Sequence, residues 1–218
     1  MAAPPPRGFE TREYRDRTTR AQALMAEFGV DVLLLTTEPE VRYFTGFLTP
    51  FWQSPTRPFF LVLPATGDPI AVVPSIAEPA MAATWLRDVR SWPSPRPTDE
   101  GLSTVLDALV EIGGERATLG MPKGPETHVR MPLGDFKRLI DALPDRWRTM
   151  EAGFIMFWLR MVKSRAEVAK IAHVCETVSS VFADLPEFLQ AGVAEREAFR
   201  RFKIACLQAG VDDIPYLV

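Results

Sequence analysis

The groups in this chain that could do chemistry are few and scattered. Its two histidines are His128, in the Pro- and Gly-bearing stretch from Met121 to Met131, and His173, in a helical stretch. Neither stands beside an acid pair or at ligand spacing from a cysteine, so each reads as a surface or partly packed imidazole. Cys175 and Cys206 fall on two predicted helices without C-x-x-C spacing, which reads as two buried free thiols rather than a disulfide or metal site. There is no G-x-S-x-G, H-E-x-x-H, P-loop or G-x-G-x-x-G pattern. The 28 acidic residues fall mostly on solvated helix faces, and no two of them single themselves out as an acid and a base. One stretch of unusual side chains remains: Phe47 to Pro58, an aromatic, Pro-bearing loop that holds Phe51, Trp52 and Arg57. The plainest reading of it is a loop stabilised by burying its rings.

The elements around that loop follow from periodicity and punctuation. Ala21, Leu24, Met25 and Phe28 share one face of a helix over 11–28 that Gly29 can end, and Val30 to Leu35 is a short buried strand. Glu38 to Gly46 reads as a short helix with Pro39 in its first turn. Pro58 to Pro64 and Ile70 to Pro74 flank turn residues and predict a hairpin. A helix over 76–86, a strand over 89–92 and a Pro-stiffened connector come next. Thr98 is expected to cap a helix striped with Leu102, Val105, Leu106, Leu109 and Ile112 and closed by Gly113 and Gly114. After a strand over 117–120, Pro132 starts a helix with Leu133, Phe136, Leu139, Ile140 and Leu143 inward. A strand near 148–150 then leads into a helix over 152–161. This order predicts a mixed α/β domain.

Composition sets limits on function. The chain has 218 residues, 47% of them hydrophobic and 24% charged, with a formal net charge of -3. That is long for one domain and short for two, at roughly 150 residues per domain. The charge offers nothing to a phosphate backbone or an anionic membrane, which excludes nucleic acid as an expected partner. Met1 to Arg7 lacks the apolar core of a signal peptide, and the run from Phe154 to Leu159 is too short to cross a bilayer. A soluble, cytoplasmic protein is the expectation.

From Leu159 to Val168 the chain reads as a hinge with a helix start built in. Ser164 and Glu167 form a capping box, and Val168, Ile171, Cys175, Val178, Phe182 and Leu185 lie on one face of the helix that follows. Asp184 and Pro186 can kink that helix or start a new turn. A last helix follows Gly192 and runs to Ala209-Gly210. Val211 to Val218 turns strand-like and does not resemble a natural terminus. Arg160, Lys163, Ser164 and Glu167 together resemble the junction l-R-x-x-K-S-x-x-E that joins the two domains of the creatinase, prolidase and Xaa-Pro aminopeptidase family, the pita-bread metallohydrolases. Tyr43, Phe44, Thr45 and Gly46 are similar to that family's ending after its first strand. Gly192 to Glu195 is similar to its Gly-x-(Thr/Ser)-Glu tag, with Ala194 in place of the capping hydroxyl.

The resemblance implies an α/β fold of creatinase/prolidase N-terminal type, a ribonuclease-H-like mixed sheet with flanking helices, over 11–158 after a disordered tail at 1–10. Residues 159–218 would then be the first helices of an incomplete α+β pita-bread domain. Metalloenzymes of the family hold two divalent ions (Mn, Zn or Co) on two Asp, one His and two Glu in that second domain. All five ligands would lie beyond Val218, so no metal ligand and no catalytic residue is assigned here. The resemblance further implies a homodimer in which the first domain of one subunit approaches the catalytic mouth of the other. Phe51, Trp52 and Arg57 are then substrate-binding candidates: rings pack against a substrate, and a guanidinium holds a carboxylate bidentately. The expected function is the front portion of a hydrolase acting on X-Pro peptides or, as in creatinase, a small C–N substrate, inactive as this chain stands. The alternative is a non-catalytic dimerisation or protein-binding module. The helices beyond Ser164 should be poorly buried, and either mobile or covered by self-association.

Overall fold

A computed structural model describes residues 4–54 and 56–215. They divide into two compact units, one within Gly8–Val162 and a second made of residues 163–215 together with 4–7.

In the larger unit the apolar runs become β1 (Val32–Leu35), β2 (Phe60–Pro64) and β3 (Ile70–Pro74), and every residue of these strands is buried. With β4 (Asp88–Trp92), β5 (Thr118–Met121) and β6 (Arg148–Glu151) they form one sheet in the order β4-β3-β2-β1-β5-β6. β2 runs antiparallel to both β1 and β3, with Leu33 opposite Leu63 and Leu61 opposite Ala71; the other three pairings are parallel. Side chains alternate across a strand. Leu33, Leu35, Leu61, Leu63, Ala71 and Val73 therefore enter one core, and Val32, Leu34, Phe60, Val62, Ile70 and Val72 the other. Burial of each such side chain is worth about 1.5–3 kcal/mol, so the sheet needs a cover on both faces. On the first face the cover is α1 (Thr11–Phe28), α2 (Glu38–Thr45), α3 (Glu78–Ala82) and α6 (Gly153–Met161), through Met25, Phe44, Met81 and Ile155. On the second it is α4 (Leu102–Gly113) and α5 (Leu133–Asp141), through Val105, Leu109 and Leu139.

Helix α1 is tied to α2 and α6 by polar contacts at the edge of the first core. The Arg17 guanidinium lies between the rings of Phe9 and Tyr43, 4.3 Å from each centroid, and donates to the Tyr43 carbonyl at 2.8 Å. The Tyr43 hydroxyl accepts from Arg20 at 3.0 Å and donates to the Leu159 carbonyl at 3.1 Å. At the opposite end of α1, the Phe28 ring meets Phe154 at 4.7 Å and Trp158 at 5.7 Å. α1 and α6 thus lie antiparallel. Gly46, at φ +76°, closes α2, and a Cβ there would come within 2.3 Å of the Tyr14 hydroxyl.

Four sequence expectations about this unit need correction. The helix expected over 76–86 shrinks to a 3-10 turn (Ser75–Ala77) and α3, because the Thr84 hydroxyl bonds the Met81 carbonyl at 2.7 Å and takes the Leu86 amide at 3.3 Å, closing the chain early. Thr98 does not cap α4. Gly101, at φ +85°, is the cap residue, and the Asp99 carboxylate takes the Ser103 amide at 3.0 Å and its hydroxyl at 2.5 Å. Leu133 is 80% exposed rather than inward, since α5 meets the sheet layer only from Phe136 onward. The strand expected over 58–64 begins at Phe60.

In the second unit, α7 (Arg165–Ala183) starts at the expected capping box. The Glu167 amide donates to the Ser164 hydroxyl at 3.2 Å and the Ser164 amide to the Glu167 carboxylate at 2.8 Å. α8 (Leu185–Phe188) carries Pro186 in its first turn, and α9 (Glu195–Gln208) starts at Ala194 without a side-chain cap. The core is small: Val181, Phe202 and Cys206 are buried, and Val178, Leu185 and Phe188 lean on them. Val168, Ile171, Val174, Phe182, Ile204 and Leu207 stay exposed. Cys175 is exposed too, against expectation, because it sits on the uncovered stripe of α7, whereas Cys206 is buried. Burial pushes the Cys206 thiol up. Pro6 accepts from Lys170, and the Arg7 guanidinium pairs with Asp212, Nε to Oδ1 at 3.0 Å. Residues 211–215 form no strand, and the rest of the strand-like stretch, 216–218, lies outside the described residues, as do residues 1–3 of the expected tail.

Candidate functional site

The loop after α2 is shaped by its own prolines and rings. The Thr49 hydroxyl accepts the Phe51 amide at 3.3 Å and starts a 3-10 turn, Pro50–Gln53, with Pro50 in its first position. With three residues per turn, neighbouring side chains lie about 120° apart and meet different surroundings. Trp52 goes in: it is 7% exposed, its ring 4.6 Å from Phe59 and 6.3 Å from Phe47. Phe51 goes out and is 39% exposed. Arg57 is half-buried, and among the described residues its side chain enters no ion pair or side-chain hydrogen bond. The three residues singled out from the sequence thus share one loop but not one environment. Phe51 and Arg57 are accessible, whereas Trp52 is the anchor beneath them. Among the described residues the Trp52 indole N–H finds no acceptor.

Sequence reasoning missed the residue that holds this loop. Arg130, from the segment between β5 and α5, places its guanidinium 5.2 Å from the Trp52 ring and 5.9 Å from Phe59. It donates to the carbonyls of Trp52 at 2.9 Å, Arg57 at 3.0 Å, Phe51 at 3.5 Å and also Ser54. Burial pulls this guanidinium below its ordinary value, opposed by the charge of Glu38. The Arg130 amide donates to the Thr36 hydroxyl at 2.8 Å, just past the end of β1. There Glu40, 6% exposed, accepts from the Thr36 and Thr37 amides at 3.3 and 3.1 Å, closing a capping box at the start of α2. Burial pushes the Glu40 carboxyl up, against the Thr37 and Thr36 hydrogen bonds and the charge of His128. His128 itself is exposed and His173 half-buried. Nothing in the sequence marks Arg130, since its partners are main-chain carbonyls more than 70 residues away.

Chemically the loop offers an exposed ring and a cation that, among the described residues, pairs with no acid. Among the described residues no three His, Cys, Asp or Glu side chains converge to hold a metal ion.

The sheet order and the position of this loop can be compared with known proteins. Residues 17–162 match the Creatinase/Prolidase N-terminal domain. The chain belongs to that family. It is 26% identical over 217 residues to the probable dipeptidase PepE of Mycobacterium tuberculosis, covering 97% of this chain and 53% of the relative. It is also 26% identical over 167 residues to the uncharacterized hydrolase/peptidase y4tM of Sinorhizobium fredii, covering 74% of this chain and 41% of that protein. Among solved structures, dipeptidase PepE from Mycobacterium ulcerans superposes with a TM-score of 0.73 at 26% identity, covering 96% of this chain and 53% of that one. Prolidase from Thermococcus sibiricus gives 0.78 at 24% identity, covering 94% and 52%, a likeness of fold. The chain spans about half the length of the curated relatives it matches.

Proposed function

We propose that this creatinase/prolidase N-terminal domain and the helices after it form the front portion of a metal-dependent hydrolase of X-Pro peptides or a creatinase-like C–N substrate. One observation carries the reading: similarity to a dipeptidase runs through the sheet domain, across the hinge and into α7 and α9, over 97% of this chain. In this reading the loop of Phe51, Trp52 and Arg57 serves substrate binding toward a partner subunit of a homodimer. Phe51 offers a ring, Arg57 a guanidinium for a substrate carboxylate, and Trp52 the support for both. In this reading two divalent ions would supply the catalysis, on ligands other than Phe51, Trp52 and Arg57. A second reading, a dimerisation or protein-binding module, draws on the uncovered stripe of Val168, Ile171 and Val174.

The mass of the polypeptide in its native source, by antibody capture and intact mass spectrometry, tests the reading. A species well above 24.4 kDa is expected, and X-Pro peptide assays would be run on it. A species of 24.4 kDa turns the search toward a binding partner. In the longer species Arg57→Ala should raise KM with little change in metal content; unchanged kinetics would remove Arg57 from the substrate's path.

A further inference from the structure

We infer that Arg130 is the positioning residue for the 50–57 loop, the group that fixes the conformation in which Phe51 and Arg57 are presented. The inference rests on the proposed role of that loop in substrate binding. Its physical basis is the way two guanidinium groups on neighbouring segments are used. Arg130 spends its donors on the carbonyls of Phe51, Trp52, Ser54 and Arg57, and its charge lies over the Trp52 and Phe59 rings. Four carbonyls of the loop thus face one cation. The side chains of Phe51 and Arg57 are left on the accessible side.

Arg130 is itself held from behind. Its amide donates to the Thr36 hydroxyl, and the Thr36 amide to Glu40, so a chain of hydrogen bonds runs from the end of β1 to the loop. An arginine is needed for this task. A guanidinium offers five N–H groups in a planar fork and stacks flat on a ring, whereas a lysine ammonium offers three donors from one point and has no plane to stack. With Arg130 committed to carbonyls, Arg57 is, among the described residues of the loop, the guanidinium left to take a carboxylate. The ligand class that fits is a short peptide or amino-acid derivative whose free carboxylate comes within reach of Arg57 and whose apolar part lies on Phe51.

The test is Arg130→Lys and Arg130→Ala in the 218-residue chain, with amide hydrogen exchange read residue by residue. The informative amides are those of Trp52 and Ser54, which bond the Thr49 and Phe51 carbonyls inside the turn. Their exchange should rise about tenfold or more in both variants, because neither replacement can hold the carbonyls, while amides of β1 and β2 keep parental protection. Parental protection of the loop in Arg130→Lys would overturn the inference. So would loosening spread equally over β1 and β2, which would make Arg130 a support of the fold and not of the loop. In a species with peptidase activity, Arg130→Lys should raise KM more than it lowers kcat, and adding Arg57→Ala should cost little more. A loosened loop with unchanged KM would leave the positioning role standing and sink the substrate role of the loop.

Discussion

Glu40 is a carboxylate whose charge is poorly solvated although its oxygens are well used. Burial raises its proton affinity, and the Thr37 and Thr36 amides and His128 only partly offset this. A carboxyl whose folded value lies above its unfolded one binds its proton more tightly in the native state. The stability it contributes is fully present below the ordinary carboxylate value and is lost as pH rises through the raised folded value. Glu40→Gln keeps an acceptor for the two amides and removes the titration. Relative to the parent, the variant should therefore gain thermal stability as pH rises through that window and show no such gain at more acidic pH. A pH-independent difference in unfolding midpoint would show that the charge plays no part. The charge that acts on Glu40 is that of His128, on the segment before α5, while Glu38 and Arg42 share its helix. None of this was legible in the sequence. Glu40 reads there as one of several acids at a helix start, and its partner Thr36 is itself bonded by Arg130, far along the chain.

Helices and strands were largely legible where local chemistry and tertiary packing agree. α1 ends at Gly29 as punctuation predicts, the Ser164 box forms with both bonds, and the buried strands fall within their apolar runs. The misses come where a side chain outside the reckoned pattern intervenes. At α4 a threonine in a plausible capping place is passed over for Asp99, because Gly101 takes a left-handed conformation and moves the helix start three residues on. Burial alone would push the Asp99 carboxyl up, but the Ser103 hydroxyl and amide, with Arg96 and the Leu102 amide, hold it below its ordinary value. Asp99→Ala should cost about 0.5–2 kcal/mol in denaturant unfolding, and Thr98→Ala close to nothing. Equal costs would restore the threonine as the cap. The Asp99 contribution has the opposite sign to that of Glu40: it is present above the ordinary carboxylate value and lost as pH falls through the lowered one. The site loop was legible as aromatic and Pro-bearing. The division into an inward Trp52 and an outward Phe51 was not, since the 3-10 turn that separates them is too short to show a period.

For the molecule as a whole, two units of unequal cohesion share one chain. The larger buries a sheet on both faces; the smaller rests on Val181, Phe202 and Cys206 and leaves the stripe of α7 uncovered. Amide exchange in the 218-residue chain should therefore be slow in β1, β2 and β3 and much faster along 164–215 in a proven monomer. Strong protection throughout α7 and α9 in a monomer would contradict this. Protection that appears only with rising concentration would mean that copies cover each other's stripes. The pairing of α1 with α6 has another consequence, for how the larger unit can be rearranged. Its first helix and its last lie side by side and antiparallel, fastened near Leu159 by the hydroxyl of Tyr43. Entry and exit of the chain are thus on the same side of the sheet, like the two ends of a cassette. A domain built this way can be set before, behind or inside another sequence without its strands being rewoven, because a host need only supply two attachment points close together.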